Sequence, residues 1–255
     1  MSANLVEIFS SVQGEGAYVG CSTLFVRFGS CDLRCRWCDS PHTWKPAKRC
    51  RIETERGRGV FAERENPVPL DAVREAAARL EVDSHAFVSL TGGESLLQPE
   101  SVLEIASTLR AEGPRIHLET HGLAHAALAQ VVEHIDLVCM DWKLSSDVEW
   151  ADPGRSGSGF DQEHREFLRV ARRAPEALVK VVVTPTSTDA ELDAVASQVA
   201  EIAPDVSLVL QPVTPTRRVP ERPSAERMLA LAARLARTLP DVRVIPQTHP
   251  VYGAL

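Results

Sequence analysis

Two periods of apolar and polar positions alternate along this chain. Short apolar runs at Thr23–Phe28, Ala86–Leu90, Ile116–Glu119, Leu137–Met140, Leu178–Val183, Val206–Leu210 and Val242–Ile245 predict strands. Between them the period becomes helical. Leu70, Val73, Ala77 and Leu80 share one helix face, as do Val102, Ile105, Ala106 and Leu109. Thr188 with Glu191 predicts a capping box ahead of the stripe Leu192, Val195, Val199 and Ile202, and Leu231 and Leu235 mark a last helix. This β-α-β-α rhythm implies an α/β fold with parallel strands joined by crossover helices. About six or seven units are present, short of a complete eight-unit barrel. A partial barrel and a doubly wound sheet both satisfy the pattern. Two stretches break it. Lys45–Pro69, rich in charge, Gly and Pro, reads as an inserted loop or flap within a single domain spanning 1–255. Asp152–Gly159 reads as a flexible loop.

Charge narrows the partners. The 255 residues carry 28 basic and 35 acidic side chains, a net of −7, and only 5% are aromatic. That balance lacks the basic footprint of a nucleic-acid binder and the stacking surface for single strands. It also lacks a polybasic membrane anchor, and the apolar runs are strand-sized, so no membrane partner is expected. The opening MSANLVEIFSSVQGEG has neither a basic n-region nor a long apolar run, so it does not read as a secretory signal. The expected location is the cytoplasm, where cysteines serve more often as ligands or catalysts than as disulfides.

Six cysteines occur, and Cys31, Cys35 and Cys38 form C-x3-C-x2-C directly after a predicted strand. Such spacing lets one loop wrap one metal centre, and soft thiolates suit zinc or an iron–sulfur cluster. Zinc wants four ligands, and His42 would complete a Cys3His set. A 4Fe-4S cluster normally takes four cysteines, so three leave one iron open to an outside ligand. Cys21 and Cys139 adjoin apolar runs and read as small core residues, and Cys50 reads as a free thiol.

The cysteine loop resembles that of the radical S-adenosylmethionine superfamily, which has an aromatic residue where Trp37 stands. Thr91-Gly92-Gly93-Glu94, ending the next predicted barrel strand, resembles the superfamily's GGE motif. Phe9-Ser10-Ser11-Val12-Gln13-Gly14-Glu15-Gly16 reads by composition as a glycine-punctuated turn before the first barrel strand. Together with Glu119-Thr120-His121-Gly122 and Pro246-Gln247-Thr248-His249, it resembles the 7-carboxy-7-deazaguanine synthase family from Leu5 to about Tyr252.

The resemblance implies a partial (β/α) barrel of about six units, with the cluster-binding loop after the first barrel strand. It implies a lyase that contracts the ring of 6-carboxy-5,6,7,8-tetrahydropterin to 7-carboxy-7-deazaguanine with loss of ammonia, for queuosine and other 7-deazapurines. A 5′-deoxyadenosyl radical, released from S-adenosylmethionine at the open iron, starts the reaction. Cys31, Cys35 and Cys38 would carry the 4Fe-4S cluster. Trp37, Asp39, Gly93, Glu94, Asp141, Lys143, Gln211 and Thr214 would meet S-adenosylmethionine. Val12, Gln13, Gly14, Glu15, Arg27, Thr91, Gln247 and His249 would form the pterin site, with Arg27 offering a planar fork to a carboxylate or carbonyl edge. Ser40 would contact Mg2+, where the family commonly has Thr, and Pro250 stands where the family often has a basic residue. No side chain is assigned as a general base, Glu15 and His249 being the nearest to that role. A homodimer and an electron donor such as flavodoxin are also implied. Two readings compete: another radical enzyme such as a glycyl-radical activase, which would not predict Gln13, Glu15 and Arg27 in a pterin site, and a zinc-stabilised binding module using His42.

Overall fold

The computed structural model describes residues 1–155 and 159–253. Ten strands form its main sheet: β1 (Leu5–Val12), β2 (Ser22–Phe28), β3 (Arg49–Glu55), β4 (Val60–Glu65), β5 (Phe87–Gly92), β6 (Arg115–Thr120), β7 (Leu137–Asp141), β8 (Glu176–Val183), β9 (Ser207–Pro212) and β10 (Val242–Val244). Their spatial order is β10-β9-β8-β7-β6-β5-β2-β1-β3-β4. From β2 through β10 in that order every pairing is parallel. Helices α1 (Leu70–Arg79), α2 (Pro99–Arg110), α3 (His125–Val131), α4 (Asp161–Ala171), α5 (Asp189–Ile202) and α6 (Ala225–Leu235) carry the six crossovers. A short α7 (His249–Tyr252) follows β10. The parallel strands follow one another in chain order without the reversal of a doubly wound sheet, so the right-handed crossovers fall on one face, and the sheet does not close; the choice left open by periodicity resolves to the partial barrel.

The helices bury the stripes expected of them. In α2 these are Val102, Ile105, Ala106 and Leu109, and α5 begins with the predicted capping box. Each buried Leu or Ile contributes roughly 2 kcal/mol by leaving water. Covered by helices on one face and lining the barrel interior on the other, the parallel strands read as near-continuous apolar runs. Among the described residues no helix is long and apolar enough to cross a membrane.

Three expectations change. Phe9–Val12 belongs to strand β1, antiparallel to β2, so only the residues after Val12 form the turn. That turn is no surface loop: Gln13 is buried, and Tyr18 packs edge-on against Phe87. Lys45–Pro69 is not irregular either. It contains the antiparallel hairpin β3–β4, which joins the sheet through a parallel pairing of β3 with β1. Its charges had masked the strands, because β4 is exposed at the sheet edge, where charge discourages pairing with another chain. In the loop expected over Asp152–Gly159, Pro153–Arg155 form a helical turn, and 156–158 lie outside the described residues.

Candidate active site

The cysteine loop begins where Ser30, at φ 81°, turns the chain away from β2. Two glycines form its seat. A side-chain carbon on Gly92 would lie 2.3 Å from the Phe28 carbonyl oxygen, and one on Gly93 only 2.2 Å from that of Ser30. The space is taken by backbone bonding: the Gly93 and Glu94 amides donate to Phe28 and Ser30 at 3.1 and 2.8 Å. Leu33–Cys35 then pairs antiparallel with Val148–Trp150. Leu33, Leu123, Val148, Trp150 and Phe160 make a small apolar cluster on which Cys31, Cys35 and Trp37 rest. All three thiols are free and line one cavity of about 440 Å³. Burial pushes the Cys31 and Cys35 thiols up to about 12 and about 11, although Lys143 pulls Cys35 down. Ligation by a cationic metal centre would therefore displace protons.

Starting beside the thiols, the wall carries a row of charges. The Lys143 ammonium donates to Asp141 Oδ2 at 2.7 Å and lies 4.4 Å from the Trp37 ring centre. Lys180 Nζ stands 3.6 Å from the same Asp141 oxygen and donates to Glu15 Oε2. Gln247 Nε2 donates to Glu15 Oε1 at 2.5 Å and to Asp39 Oδ2 at 3.0 Å. Burial alone would raise the Glu15 carboxyl, but Lys180, aided by Gln247 and His249, draws it down to about 2. Such a carboxylate is a poor base at neutral pH and a permanent hydrogen-bond acceptor.

A second acceptor, Glu119, receives Gln13 Nε2 and Ser89 Oγ at 2.8 Å and Thr91 Oγ1 at 3.2 Å. Gln13 Oε1 meanwhile accepts from the Glu15 amide at 3.0 Å. The Gln13 side chain thus ties the Glu119 carboxylate to the main chain at Glu15. The C-terminal segment closes over this floor: the Thr248 amide donates to the Gly14 carbonyl at 2.9 Å, and a side chain at Gly14 would strike the His249 ring at 2.6 Å.

Every residue expected in the site lines this cavity except Glu94. Glu94 is buried, and its carboxylate accepts from Leu96 N, Thr120 Oγ1 and His121 N at 3.0, 2.9 and 2.8 Å. It joins the Gly-Gly seat to the end of β6. His121 extends that joint, its Nε2 donating to Asp32 Oδ1 at 2.9 Å while Nδ1 accepts from Leu123 N.

His164, on α4, holds the next strand end. Its Nδ1 donates to the Gly122 carbonyl at 2.8 Å and its Nε2 accepts from the Lys143 amide at 2.9 Å. Burial lowers its pKa from 6.5 to about 3. The unfolded chain then binds a proton that the folded chain refuses. Stability is therefore complete above pH 6.5 and falls as pH drops toward 3, by about 2 kcal/mol at pH 5. Urea unfolding at pH 7 and pH 5 should show this loss in the wild type and a shallower slope in His164→Gln. Equal slopes would mean that the ring ionises freely in the fold.

These motifs have counterparts in known proteins. The model of the Radical SAM superfamily matches residues 25–199. A 7-carboxy-7-deazaguanine synthase of Geobacter sulfurreducens is 38% identical over 259 residues, covering 99% of this chain and 98% of that protein. The chain belongs to the 7-carboxy-7-deazaguanine synthase family of radical SAM enzymes. The family's protein from Methanothermobacter thermautotrophicus is 30% identical over 99% of this chain and 98% of its own length. The crystal structure of QueE from Escherichia coli has the same fold, with a TM-score of 0.65 at 20% identity over 98% of this chain and 95% of that one.

A radical SAM enzyme carries a 4Fe-4S cluster and S-adenosylmethionine, and the residues present fit both. The three thiols come from one loop beside one cavity, with no fourth cysteine in its wall except Cys139 in the distant strand β7. The zinc alternative fits less well. His42 is exposed and outside the cavity wall. Among the described residues, no three His, Cys, Asp or Glu side chains converge on a point that would hold a single metal ion. A cubane instead takes each thiolate on a different iron. For S-adenosylmethionine the wall offers two buried acceptor atoms with no partner, Asp141 Oδ1 and Gln211 Oε1. Buried polar atoms are normally satisfied, so two unpaired acceptors on residues of this wall fit a site made for a polar ligand.

Sequence reasoning passed over Lys180 and Glu119 as site residues of this family member. The available signal was a lone charge inside each of two apolar runs, LVKVVV and IHLET. Cys139, expected as a core residue, is buried but also lines the cavity. Cys50, on β3, is fully buried and outside the cavity wall, and burial pushes its thiol up to about 12.

Proposed function

We propose that this chain converts 6-carboxy-5,6,7,8-tetrahydropterin into 7-carboxy-7-deazaguanine with loss of ammonia, supplying queuosine and other 7-deazapurines for tRNA modification and related uses. One observation carries the reading: a single cavity joins three free thiols to a floor of fixed acceptors and one arginine. Cys31, Cys35 and Cys38 hold the cluster. The amino-acid end of S-adenosylmethionine lies along Trp37, Asp39, Gly93, Asp141 and Lys143, with Gln211 and Thr214 farther along, and Glu94 shapes that site from beneath. When bound, cluster and S-adenosylmethionine supply a carbon radical that removes hydrogen from the substrate.

The chain's own residues orient the pterin. Glu15 and Glu119 accept from its N–H groups; Lys180 and Gln247 keep the Glu15 carboxylate in place, and Gln13 and Thr91 that of Glu119. Arg27 receives the 6-carboxylate through its terminal N–H groups. Val12, Gly14, Gln247 and His249 close the floor, and Phe25, Val182 and Val213 exclude water from the reacting carbon. Ser40, whose hydroxyl donates to Asp39 Oδ1 at 3.0 Å, and Asp39 together offer the hard oxygens that Mg2+ prefers. The working form is a homodimer in the cytoplasm, each chain one domain, reduced by a donor such as flavodoxin.

Anaerobic reconstitution with iron and sulfide, followed by reductant, S-adenosylmethionine, Mg2+ and the carboxytetrahydropterin, should release 7-carboxy-7-deazaguanine, identified by mass. Deoxyadenosine without that product would remove the substrate assignment and leave the radical chemistry standing. A colourless, zinc-loaded protein would remove both.

A further inference from the structure

Arg27 does not stand alone. Its Nε donates to Glu7 Oε1 at 2.8 Å, and the other Glu7 oxygen lies 3.5 Å from Arg51 Nη1. The three residues are direct cross-strand neighbours on β2, β1 and β3. A bulge between Leu5 and Glu7 sets this register. Without the extra residue Val6 would oppose Arg27, and bulges commonly serve to re-aim a side chain in this way. Arg51 is held from outside by stacking on Phe61 of β4, 4.1 Å from the ring centre. Glu7, in the middle of the row, is the most buried: its side chain is 14% accessible, against 19% for Arg27 and 50% for Arg51. Glu7 is not part of the cavity wall, whereas Arg27 is.

We propose that Glu7 is a positioning residue that aims Arg27 at an anionic group of the substrate, and that the β3–β4 hairpin exists in part to complete this row through Arg51. The proposal rests on Arg27 being the carboxylate receptor. A guanidinium carries five N–H donors in a rigid plane. Anchoring Nε to Glu7 fixes that plane and leaves the terminal nitrogens for a bidentate grip. Glu7 by itself would cancel the charge of Arg27. Arg51 restores it: two positive charges and one negative leave the row at +1, so the site stays attractive to a carboxylate. The inserted segment thereby gains a role in specificity for acidic over neutral pterins.

The test is equilibrium binding to the reconstituted holoenzyme, read by pterin fluorescence, with pterin-6-carboxylate and 6-methylpterin as probes. The wild type should prefer the carboxylated probe; equal affinity there would remove Arg27 as receptor before any variant is made. Glu7→Ala should weaken the carboxylated probe about tenfold, the size of one lost charge-assisted hydrogen bond. It should leave 6-methylpterin within about twofold, and Glu7→Asp should recover part of the loss. Arg51→Ala, at a half-exposed position one strand in from the sheet edge, should cost about threefold on the carboxylated probe alone. Equal weakening of both probes would make the row merely structural, and no weakening of either would mean that Arg27 orients itself; both results overturn the proposal.

Discussion

Lys180→Met should destabilise the folded protein by about 3 kcal/mol at neutral pH and remove detectable turnover. The ammonium is 9% exposed and lies between Glu15 and Asp141. Burial works against its charge, but the two carboxylates more than offset that and hold it protonated. Methionine fills the space and cannot donate, so Glu15 loses its main ionic partner and Asp141 keeps only Lys143. Breaking a buried pair from one side costs more than the pair contributes, because the stranded charge stays desolvated.

The pH dependence gives the sign. In the wild type, Glu15 sits at about 2 instead of 4.5, so its stabilisation is present above pH 4.5 and lost as pH falls toward 2. In the variant, burial is no longer opposed by Lys180 and the Glu15 carboxyl rises. A raised carboxyl destabilises more as pH increases. Denaturant curves should therefore show the gap between the two proteins widening from pH 4 to pH 7. Adding Glu15→Gln to the variant should recover much of the stability and none of the turnover, since the neutral amide tolerates burial but no longer presents a carboxylate. A constant gap, or no recovery, would contradict the ion-pair account.

Replacing any one of Cys31, Cys35 and Cys38 by alanine should abolish both the visible absorbance of the reconstituted cluster and product formation. The fold should survive, with stability changing by less than about 1 kcal/mol, because these side chains rest at a cavity surface and not within the main core. Cys50 predicts the opposite pattern. It is fully buried in the main core, so Cys50→Ser should lower stability by about 2 kcal/mol and leave iron content unchanged. His42→Ala should alter neither, as its ring is exposed. Iron and sulfide analysis beside thermal melting separates these outcomes, and loss of iron from the His42 variant would revive the mononuclear alternative.

What could be read from the chain differed by kind of signal. The seven parallel strands carry apolar runs long enough to register above their neighbours, and their order with the intervening helical stripes defined an open β/α array. The cysteine spacing is a local property of eight residues, so the cluster loop needed no tertiary information. The same holds for Gly92 and Gly93, although the structure supplies their physical reason in the backbone of Phe28–Ser30 pressed against them. Strand β1 and the hairpin β3–β4 were lost because polar residues on edge or cavity-facing positions break the alternation that marks a strand. Glu94 was expected in the cavity and lies beneath it, since a motif specifies a residue and not which way its carboxylate turns.

By itself, the sequence determined the chemistry on offer: a three-thiol loop, a Gly-Gly-Glu strand end, and a series of parallel β/α units to display them. These depend on neighbours close in the chain and on short-range periodicity. Only the tertiary structure decided which distant charges meet. Lys180 reaches Glu15 across 165 positions of sequence, and Glu7 stands between Arg27 and Arg51 by virtue of one bulge and one strand pairing. A lone charge in an apolar run marks Lys180 as unusual, but nothing local to any of these residues names its partner. It is burial, imposed by the fold, that turns them into an ordered site.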